Sequence, residues 1–400
     1  MYPLEIKPNV FWAGVIDWTL RDFHGYSTER GSTYNAFIAK GTDKTVLFDT
    51  AKASYSDELL RRVREIVEPG KIDYIVVNHA EMDHTGSLPA MVEAIRPEKI
   101  FMSKPCHDAV EAHFGPRDWP VQIVSTGDEL QLGGKTVTFI EARMLHWPDS
   151  MFSYIKEDRL FVTSDGFGQH YATSERFDDE VDFGEAMRQA AKYYANILLP
   201  YSPMMVKALD LIEKLKLDID MIAPDHGVIW RSHVSDIVAA YRRWATGFAK
   251  RKAVVVFDTM WQSTAKMAAH IVEGLISEGV HTTSMDLHVS HHSDVITELL
   301  EAKGFVLGSP TLNNGYLPRM ADTLCYVKGL RPAGKIGAAF GSYGWGGESV
   351  KLLNAELEAM KVAVVHPGVR VKYVPRAEEL AQCFEMGRTI GRAIVESTPE

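Results

Sequence analysis

The stretch YIVVNHAEMDH, residues 74–84, joins an apolar run to four side chains that can bind a metal ion. The run YIVVN predicts a buried β-strand. The four side chains, His79, Glu81, Asp83 and His84, follow it directly, in a turn where side chains can converge instead of alternating across a sheet. A short motif of this kind occurs by chance, so the prediction depends on partners elsewhere in the chain.

Three further candidate ligands follow predicted strands in the same way. His146 comes after TFIEA, Asp165 ends RLFVTSD, and His226 ends DMIAPDH. Because sheet-based sites collect ligands where strands end, the sequence predicts that all seven residues meet at one centre. Imidazole and carboxylate ligands without thiolate suit iron, zinc or manganese. Seven ligands exceed what one catalytic ion needs, so two metals are expected, with Asp165 as the bridge because its two oxygens can each bind one ion.

The composition of the chain excludes several classes of protein. The chain has 400 residues, more than one hydrophobic core usually serves, and its net charge of −10 argues against nucleic acid as a partner. No apolar segment approaches the ~20 residues that span a bilayer, and no secretory signal pattern opens the sequence, so we expect no membrane association and a cytoplasmic location. The three cysteines, Cys106, Cys325 and Cys383, form no C-x-x-C pair, which excludes a disulfide framework, a thiolate zinc cluster and an iron–sulfur centre built from this chain alone.

The pattern of predicted strands and helices changes near residue 250, which predicts domains at 1–250 and 251–400. In the first part, β-rich runs alternate with helical ones, which favours layered sheets flanked by helices. Its predicted strands are 33–41 and 44–50, joined as a hairpin, then 74–78, 99–103, 121–125, 135–142, the pair MFSYIKE/RLFVTSD and 218–224, with helices at 57–67 and within 183–216.

In the second part, five strands alternate with five helices, which predicts a doubly wound α/β domain with ligands at the carboxyl ends of its strands. The predicted strands are 253–259, 281–287, 305–309, 335–342 and 369–374, and the helices are 263–278, 294–302, 318–329, 348–360 and one from 376 onward.

Three loops at the predicted strand ends of the second domain have the composition that holds flavin mononucleotide (FMN). The first offers hydroxyls and backbone N–H groups at a helix N-terminus, which suit a phosphate. It is neither a P-loop nor a dinucleotide-binding motif. Glycines in the third loop allow close approach to a flat ring, on which Tyr343 or Trp345 can stack. The predicted FMN-binding residues are Thr259, Met260, Trp261, Gln262, Ser263, Thr264, Ser309, Pro310, Thr311, Leu312, Asn313, Asn314, Ser342, Tyr343, Gly344, Trp345, Gly346 and Gly347.

Residues 79–84 resemble the metal motif of the metallo-β-lactamase fold, with one change. Glu81 stands where zinc hydrolases usually have histidine, and a harder oxygen ligand favours iron over zinc. Together with a second domain that resembles flavodoxin, this is the pattern of the flavodiiron proteins, and the resemblance covers essentially the whole chain. It implies an α/β fold class, with an N-terminal metallo-β-lactamase-like αββα sandwich and a C-terminal flavodoxin-like doubly wound parallel sheet.

The resemblance also implies roles for the candidate residues. His79, Glu81 and His146 are expected to bind one iron, Asp83 and His226 the other, and Asp165 to bridge them. His84 matches the motif as a variable ligand that can sit back from the metal. His24 and Tyr194 resemble residues that lie beside the ligands, near the open coordination positions; hydrogen-bonded core residues are the alternative reading of both.

The implied reaction is reduction of dioxygen to water, of nitric oxide to nitrous oxide, or both, by electrons that pass through FMN to two non-haem irons. A rubredoxin is the expected donor, since this chain has no C-x-x-C pair of a fused one. The expected assembly is a head-to-tail homodimer or a dimer of dimers, in which each flavin meets the partner's iron site, with the Trp345 loop as a candidate contact.

Three alternatives remain at this stage. Nitric oxide reduction can be the main activity, because both reactions use the same ligands. The chain can be a zinc hydrolase of the metallo-β-lactamase fold, against which Glu81 argues. It can also be a sensor that binds oxygen or reports redox state without turnover.

Overall fold

Two β-sheets dominate the first part of the chain, and a third sheet forms the second part. The computed structural model describes residues 4–398. Its contacts divide into two units: the first holds most of the chain up to Arg242, and the second holds the chain from Arg243 onward together with two short segments, His24–Ser27 and Ala195–Pro200. The division lies close to the predicted change near residue 250.

The strands of the first part are short, and several have only two or three residues. They are β1 (Leu4–Lys7), β2 (Val10–Trp12), β3 (Val15–Asp17), β4 (Asp22–Phe23), β5 (Tyr26–Ser27), β6 (Ser32–Tyr34), β7 (Phe37–Lys40), β8 (Thr45–Phe48), β9 (Tyr74–Val77), β10 (Lys99–Met102), β11 (Val121–Ile123), β12 (Glu129–Gln131), β13 (Thr136–Glu141), β14 (Met151–Ile155), β15 (Leu160–Val162) and β16 (Met221–Ala223).

The larger sheet of the first unit has seven strands in the order β1-β2-β7-β8-β9-β10-β11. Strands β8 to β11 run parallel, and β7 pairs antiparallel with β8 as the predicted hairpin. The smaller sheet has five strands in the order β12-β13-β14-β15-β16. One apolar cluster contains Phe37 and Val76 of the larger sheet and Phe139 and Val162 of the smaller, so the two sheets pack face to face.

Helices cover the outer face of the larger sheet. A second apolar cluster joins Ile75 of β9 to Leu59, Met91 and Val110 of three helices. The first of them carries acidic residues in its first turn, which favours its N-terminus. The helices of this part are α1 (Ser56–Ile66), α2 (Met82–Thr85), α3 (Leu88–Ile95), α4 (Lys104–Phe114), α5 (Phe183–Tyr193), α6 (Ser202–Lys214) and α7 (Val234–Ala245).

The second unit is a parallel sheet between helices, as predicted. Its strands are β17 (Lys250–Phe257), β18 (His281–Asp286), β19 (Ala302–Gly308), β20 (Ile336–Tyr343), β21 (Ala363–Val364) and β22 (Val369–Lys372), and its helices are α8 (Ser263–Ser277), α9 (His292–Leu299), α10 (Pro318–Leu330), α11 (Ser349–Ala359) and α12 (Ala377–Ser397). The strand order is β18-β17-β19-β20, with β21 and β22 pairing at successive positions along β20. The direction of winding reverses between β17 and β19, and α/β sheets bind ligands at such a point.

One predicted helix boundary was wrong. The helix predicted at 294–302 spans His292–Leu299, because Ala302 pairs with Lys250 as the first residue of β19. The helices predicted within 183–216 are α5 and α6, which are separated by a π-helical turn and a 3-10 turn, and α6 begins with Pro203 in its first turn. Among the helices of residues 4–398, none combines the length and the apolar character that crossing a membrane requires.

Candidate metal centre and flavin pocket

The seven predicted metal ligands form two adjoining groups in the first unit. They lie in the segments that follow β9, β13, β15 and β16, with Asp83 and His84 in the short helix α2, where the backbone has left the sheet and side chains are free to converge. His79, Glu81, His146 and Asp165 form the first group, and one ligand atom from each lies within 4.8 Å of the others. Asp83, His84 and His226 form the second group by the same measure.

In the first group, two histidines face two carboxylates. The Nε2 atom of His146 lies 3.1 Å from Glu81 Oε2 and 3.0 Å from Asp165 Oδ2. The Nε2 atom of His79 lies 3.3 Å from the same glutamate oxygen and 3.4 Å from the same aspartate oxygen. The four side chains of the first group therefore converge on one small volume.

The second group uses the other oxygen of Asp165. Oδ1 of Asp165 lies 3.1 Å from His84 Nε2 and 3.3 Å from His226 Nε2. Asp83 lies between the same two rings, 3.4 Å from His84 Nε2 and 3.2 Å from His226 Nε2. The two oxygens of Asp165 thus face different groups, which is the arrangement that a bridging carboxylate needs.

Several of these polar atoms are buried without hydrogen-bond partners among residues 4–398, apart from the ion-pair contacts above. They are both carboxylate oxygens of Asp83, Nε2 of His84 and Oδ1 of Asp165. Leaving a buried polar atom unsatisfied costs roughly 1–3 kcal/mol, and more for a charged group. Cations placed between these atoms would satisfy them together, so the donor set fits metal ions.

Crowding shifts the pKa values of these ligands before any metal binds. Burial acts to lower the pKa of His79, but hydrogen bonds with Asp149 and Glu81 outweigh it and raise the pKa to about 10. Burial acts to raise the pKa of Asp165, but the nearby imidazoles bring it well below its ordinary value. The site therefore holds protons on imidazoles between carboxylates, and metal ions would displace those protons.

A cavity of about 830 Å³ opens at the carboxyl ends of the strands of the second unit. Thirteen of the predicted FMN-binding residues line it: Met260, Trp261, Ser263, Pro310, Thr311, Leu312, Asn313, Asn314, Ser342, Tyr343, Gly344, Trp345 and Gly346. Trp261 and Trp345 at its rim are 88% and 91% exposed, so large aromatic faces are available to cover a flat ring.

The other predicted FMN residues shape the loops around this cavity. Thr264 places its hydroxyl 3.2 Å from that of Ser342 and so ties the first loop to the third. Ser309 accepts a hydrogen bond from the N–H of Leu317, Gln262 precedes α8 in a left-handed conformation, and Gly347 has a positive φ. Thr259 is buried next to the first loop and lines a neighbouring cavity of about 570 Å³. Glu348, Tyr373 and Val374 also line the main cavity and were not predicted.

Comparison with known proteins agrees with the predicted fold class. Residues 33–227 match the family model described as ODP family beta lactamase, and residues 255–387 match that described as flavodoxin. Similar relatives are a nitric oxide reductase of Moorella thermoacetica, 47% identical over 98% of this chain and 99% of that protein, and a rubredoxin-oxygen oxidoreductase of Megalodesulfovibrio gigas, 45% identical over 98% of both. The crystal structure of the flavodiiron protein from Giardia intestinalis superposes with a TM-score of 0.96 at 34% identity, over 100% of this chain and 99% of that one.

The chain belongs to the flavodiiron protein family. The predicted fold class, a metallo-β-lactamase-like domain followed by a flavodoxin-like domain, is confirmed. Family membership also confirms the predicted cofactors, FMN and two irons. Both fit the residues present, because buried unpartnered ligand atoms meet in the first unit and an aromatic-rimmed cavity beside a helix N-terminus lies in the second.

Residues behind the flavodiiron ligands were missed by the sequence analysis. Asp149 Oδ2 lies 3.0 Å from His79 Nδ1, and Asp225 Oδ2 lies 3.3 Å from His84 Nδ1. The backbone carbonyl of Thr33 lies 2.7 Å from Nδ1 of His226. Partners on the far nitrogen fix the orientation of a metal-binding histidine. The available signal was proximity in sequence, since Asp149 and Asp225 each lie within three residues of a predicted ligand.

The two residues predicted to lie beside the ligands have different surroundings. Tyr194 places its hydroxyl 2.9 Å from that of Ser202 and packs its ring against Tyr241 at 5.1 Å. The preceding residue, Tyr193, places its ring 5.9 Å from that of His226. Successive helical residues point about 100° apart, so the two tyrosines have different surroundings, and the role predicted for Tyr194 stays a prediction. His24 has φ +55° and belongs to the second unit, and its predicted role stays a prediction.

Proposed function

We propose that this flavodiiron protein reduces dioxygen to water, and also nitric oxide to nitrous oxide, with electrons from a rubredoxin that pass through FMN to the di-iron site. The relatives named for these two activities match nearly the full length of the chain, which supports both substrates and this donor. The observation that carries the proposal is the position of Asp165, whose two oxygens face two separate groups of ligands.

We assign the predicted ligands to two iron positions. His79, Glu81 and His146 hold the first iron, and Asp165 bridges to the second. Asp83 and His226 hold the second iron, and the contacts of His84 Nε2 with Asp83 and Asp165 support His84 as a further ligand there. An oxygen ligand at Glu81 supports iron over the zinc of related hydrolases.

The chain's own residues orient the proposed ligands and bury them away from water. When bound, FMN and two irons provide one-electron transfer to a small diatomic molecule. Asp149, Asp225 and the carbonyl of Thr33 hold the histidines in place from behind. Burial and the nearby carboxylates keep the pKa of Tyr193 well above its ordinary value, so a neutral phenol packs beside His226.

FMN is proposed to occupy the cavity of the second unit. Its phosphate is expected at the first loop and the N-terminus of α8. The first two residues of this helix, Ser263 and Thr264, both carry hydroxyls. Its ring is expected among the aromatic side chains of the rim, Trp261, Tyr343, Trp345 and Tyr373. This supports residues 1–250 as the di-iron domain and 251–400 as the flavin domain.

The decisive assay measures both gases with the iron- and FMN-replete protein. Reduced rubredoxin, kept reduced by its reductase, is added anaerobically, and oxygen or nitric oxide consumption is followed on separate electrodes. Sustained consumption of each gas, with water and with nitrous oxide as products, is expected. His79→Ala is expected to abolish both, whereas His113→Ala, which removes an exposed histidine of α4 outside the groups of possible metal ligands among residues 4–398, serves as the matched control.

The same assay separates the candidate functions. A nitric oxide rate far above the oxygen rate would make nitric oxide reduction the main activity, which the Moorella thermoacetica relative favours. If neither gas is consumed, the proposal is rejected, and hydrolase activity with bound zinc is tested next.

We further propose a head-to-tail homodimer, in which the flavin of one chain serves the irons of the other. The exposed Trp261 and Trp345 beside the cavity support an interface there. The test of this arrangement mixes two proteins. One is His79→Ala, whose FMN site is intact, and the other is a variant whose FMN-binding loops are mutated so that it binds no flavin. Gas consumption that appears only after subunit exchange supports it, and its absence in verified mixed dimers rejects it.

We also place the protein in the cytoplasm. Three free cysteines, of which Cys106 and Cys383 are buried and Cys325 is exposed, fit a reducing compartment. Cell fractionation with a cytoplasmic marker checks this.

A further inference from the structure

Asn35 is a fully buried residue directly after β6, and its amide meets the loop that carries His226. Its Nδ2 atom donates to the backbone carbonyl of Pro224 at 2.7 Å and to that of Gly227 at 3.1 Å. Its backbone N–H donates to the carbonyl of Asp225 at 2.7 Å. One residue therefore holds three of the four carbonyls of residues 224–227.

The loop 224–227 serves the second ligand group twice. Its Asp225 carboxylate lies 3.3 Å from Nδ1 of His84, an ion-pair contact rather than a short aligned hydrogen bond. Its His226 places Nε2 within 3.3 Å of both Asp83 and Asp165. A shift of this loop therefore displaces one histidine directly and removes the support of the other.

The orientation of the Asn35 amide is itself fixed. The indole Nε1–H of Trp12 donates to Asn35 Oδ1 at 2.8 Å, which leaves Nδ2 pointing at the loop carbonyls. The guanidinium carbons of Arg62 and Arg176 lie 5.0 and 4.9 Å from the centroid of the Trp12 ring, so two cations pack on that ring. The backbone of Gly14 packs closely against both residues, because a Cβ there would lie 2.6 Å from Asn35 Cα and 2.9 Å from Trp12 Nε1.

We infer that Asn35, oriented by Trp12, is the positioning residue of the second iron position, which it controls through Asp225 and His226. It touches no ligand atom. In the first group, His79 is supported by Asp149 instead, and Glu81 and His146 come from other segments. Only the shared Asp165 adjoins the loop, through the hydrogen bond that the N–H of Asp225 donates to the carbonyl of Ser164 at 2.7 Å, so the effect is larger at the second position than at the first. The inference rests on the proposed di-iron function.

The test is an anaerobic titration of apo protein with ferrous ion alone, with a competing chelator to resolve the two equivalents. Asp83→Ala first identifies which equivalent belongs to the second position. Asn35→Ala is expected to weaken that equivalent by about 10–100-fold, the usual effect of losing a partner behind the ligands, and to leave the other within about twofold. FMN content and the thermal midpoint of the apo protein report whether the variant is folded.

Trp12→Phe is the second variant, because it removes only the donor that orients the amide. A smaller weakening of the same equivalent is expected, about threefold or more, and this variant decides the matter if Asn35→Ala does not fold. Unchanged affinities, or equal weakening of both equivalents, would overturn the inference. A wild-type protein that binds fewer than two irons would instead reject the di-iron part of the proposed function, so the two failures are distinguishable.

Discussion

Asp149 and His79 form a buried pair in which the carboxylate Oδ2 lies 3.0 Å from Nδ1 of the imidazole. The same oxygen accepts a hydrogen bond of 2.6 Å from the N–H of Ala80, so the carboxylate is fixed from two directions. The opposite nitrogen of His79, Nε2, is the atom that faces Glu81 and Asp165. Asp149 therefore sets both the tautomer and the direction of a proposed iron ligand.

We predict that Asp149→Asn lowers the affinity of the first iron position by about tenfold, because the imidazole loses the negative charge that orients it and raises its basicity. Chelator competition under anaerobic conditions measures the change. Asp57→Asn, at an exposed carboxylate of α1 outside the groups of possible metal ligands among residues 4–398, is the control. Equal affinities in wild type and Asp149→Asn would show that the backbone alone fixes His79.

Asp165→Asn should impair both iron positions. An asparagine side chain offers one carbonyl oxygen and one NH₂ group, so it cannot present an anionic oxygen to each ligand group as Asp165 does. We expect gas reduction to fall by more than the roughly 10–100-fold that partners behind ligands contribute. Iron content and Mössbauer spectra check the cause. Two strongly coupled irons in this variant would contradict a bridging role.

Gly347→Ala is predicted to weaken FMN binding without changing iron content. The residue has φ +96°, and a Cβ would lie 3.1 Å from the ring of Tyr343. An L-residue in this region costs about 1–2 kcal/mol, which corresponds to roughly a tenfold lower affinity if the loop must move. Flavin fluorescence titration measures it. The control is Gly329→Ala in α10, where nothing lies within 4 Å of an added Cβ.

Glu29 should stabilise the fold at neutral pH but not in acid. Burial acts to raise its pKa, but the hydrogen bond and charge of the buried Lys192, 2.7 Å away, lower it to about 2, against an ordinary value of 4.5. A lowered folded-state pKa contributes stability above about pH 4.5 that is lost as the pH falls toward 2. We expect Glu29→Gln to cost about 1 kcal/mol at pH 7, a modest amount because the carboxylate is partly exposed.

Urea unfolding of apo protein at pH 7, 4 and 3 tests this. The gap between wild type and Glu29→Gln should narrow as the pH falls. Glu65→Gln, at the exposed end of α1, should show little difference at any pH. A gap that widens in acid would reverse the assigned sign.

Features that depend on neighbouring residues could be predicted from the sequence, whereas contacts between residues far apart in the chain could not. The ends of strands can be recognised in the sequence, because an apolar run followed by polar residues marks them, so all seven candidate ligands that the structure brings together were predicted. Asn35 was not found, because its partners at 224–227 are nearly two hundred residues away. The strands before residue 34 have two to four residues each, too few to show alternation. A sequence also does not show which way a helix is rotated, so it cannot tell whether Tyr193 or Tyr194 faces the centre.

In the second unit, the pattern of strands and helices could also be predicted from the sequence, because apolar runs mark its strands. The last five residues of strand β17, Ala253–Phe257, are all apolar and buried because both faces of the strand are covered there, so this run cannot be confused with a half-exposed strand. Tyr373 and Val374 were missed as cavity residues because they follow β22, and no glycine or hydroxyl cluster marks that strand end.

The ligands come from both layers of the first unit. His79, Glu81, Asp83 and His84 follow β9 of the seven-stranded sheet, whereas Asp165 and His226 follow β15 and β16 of the five-stranded sheet. Iron bound between them is therefore a coordination cross-link across the seam of the sandwich, and its binding energy opposes separation of the layers. We therefore expect iron limitation to shorten the lifetime of the protein as well as lower its activity, because without iron the two layers separate more often and expose the chain to proteases.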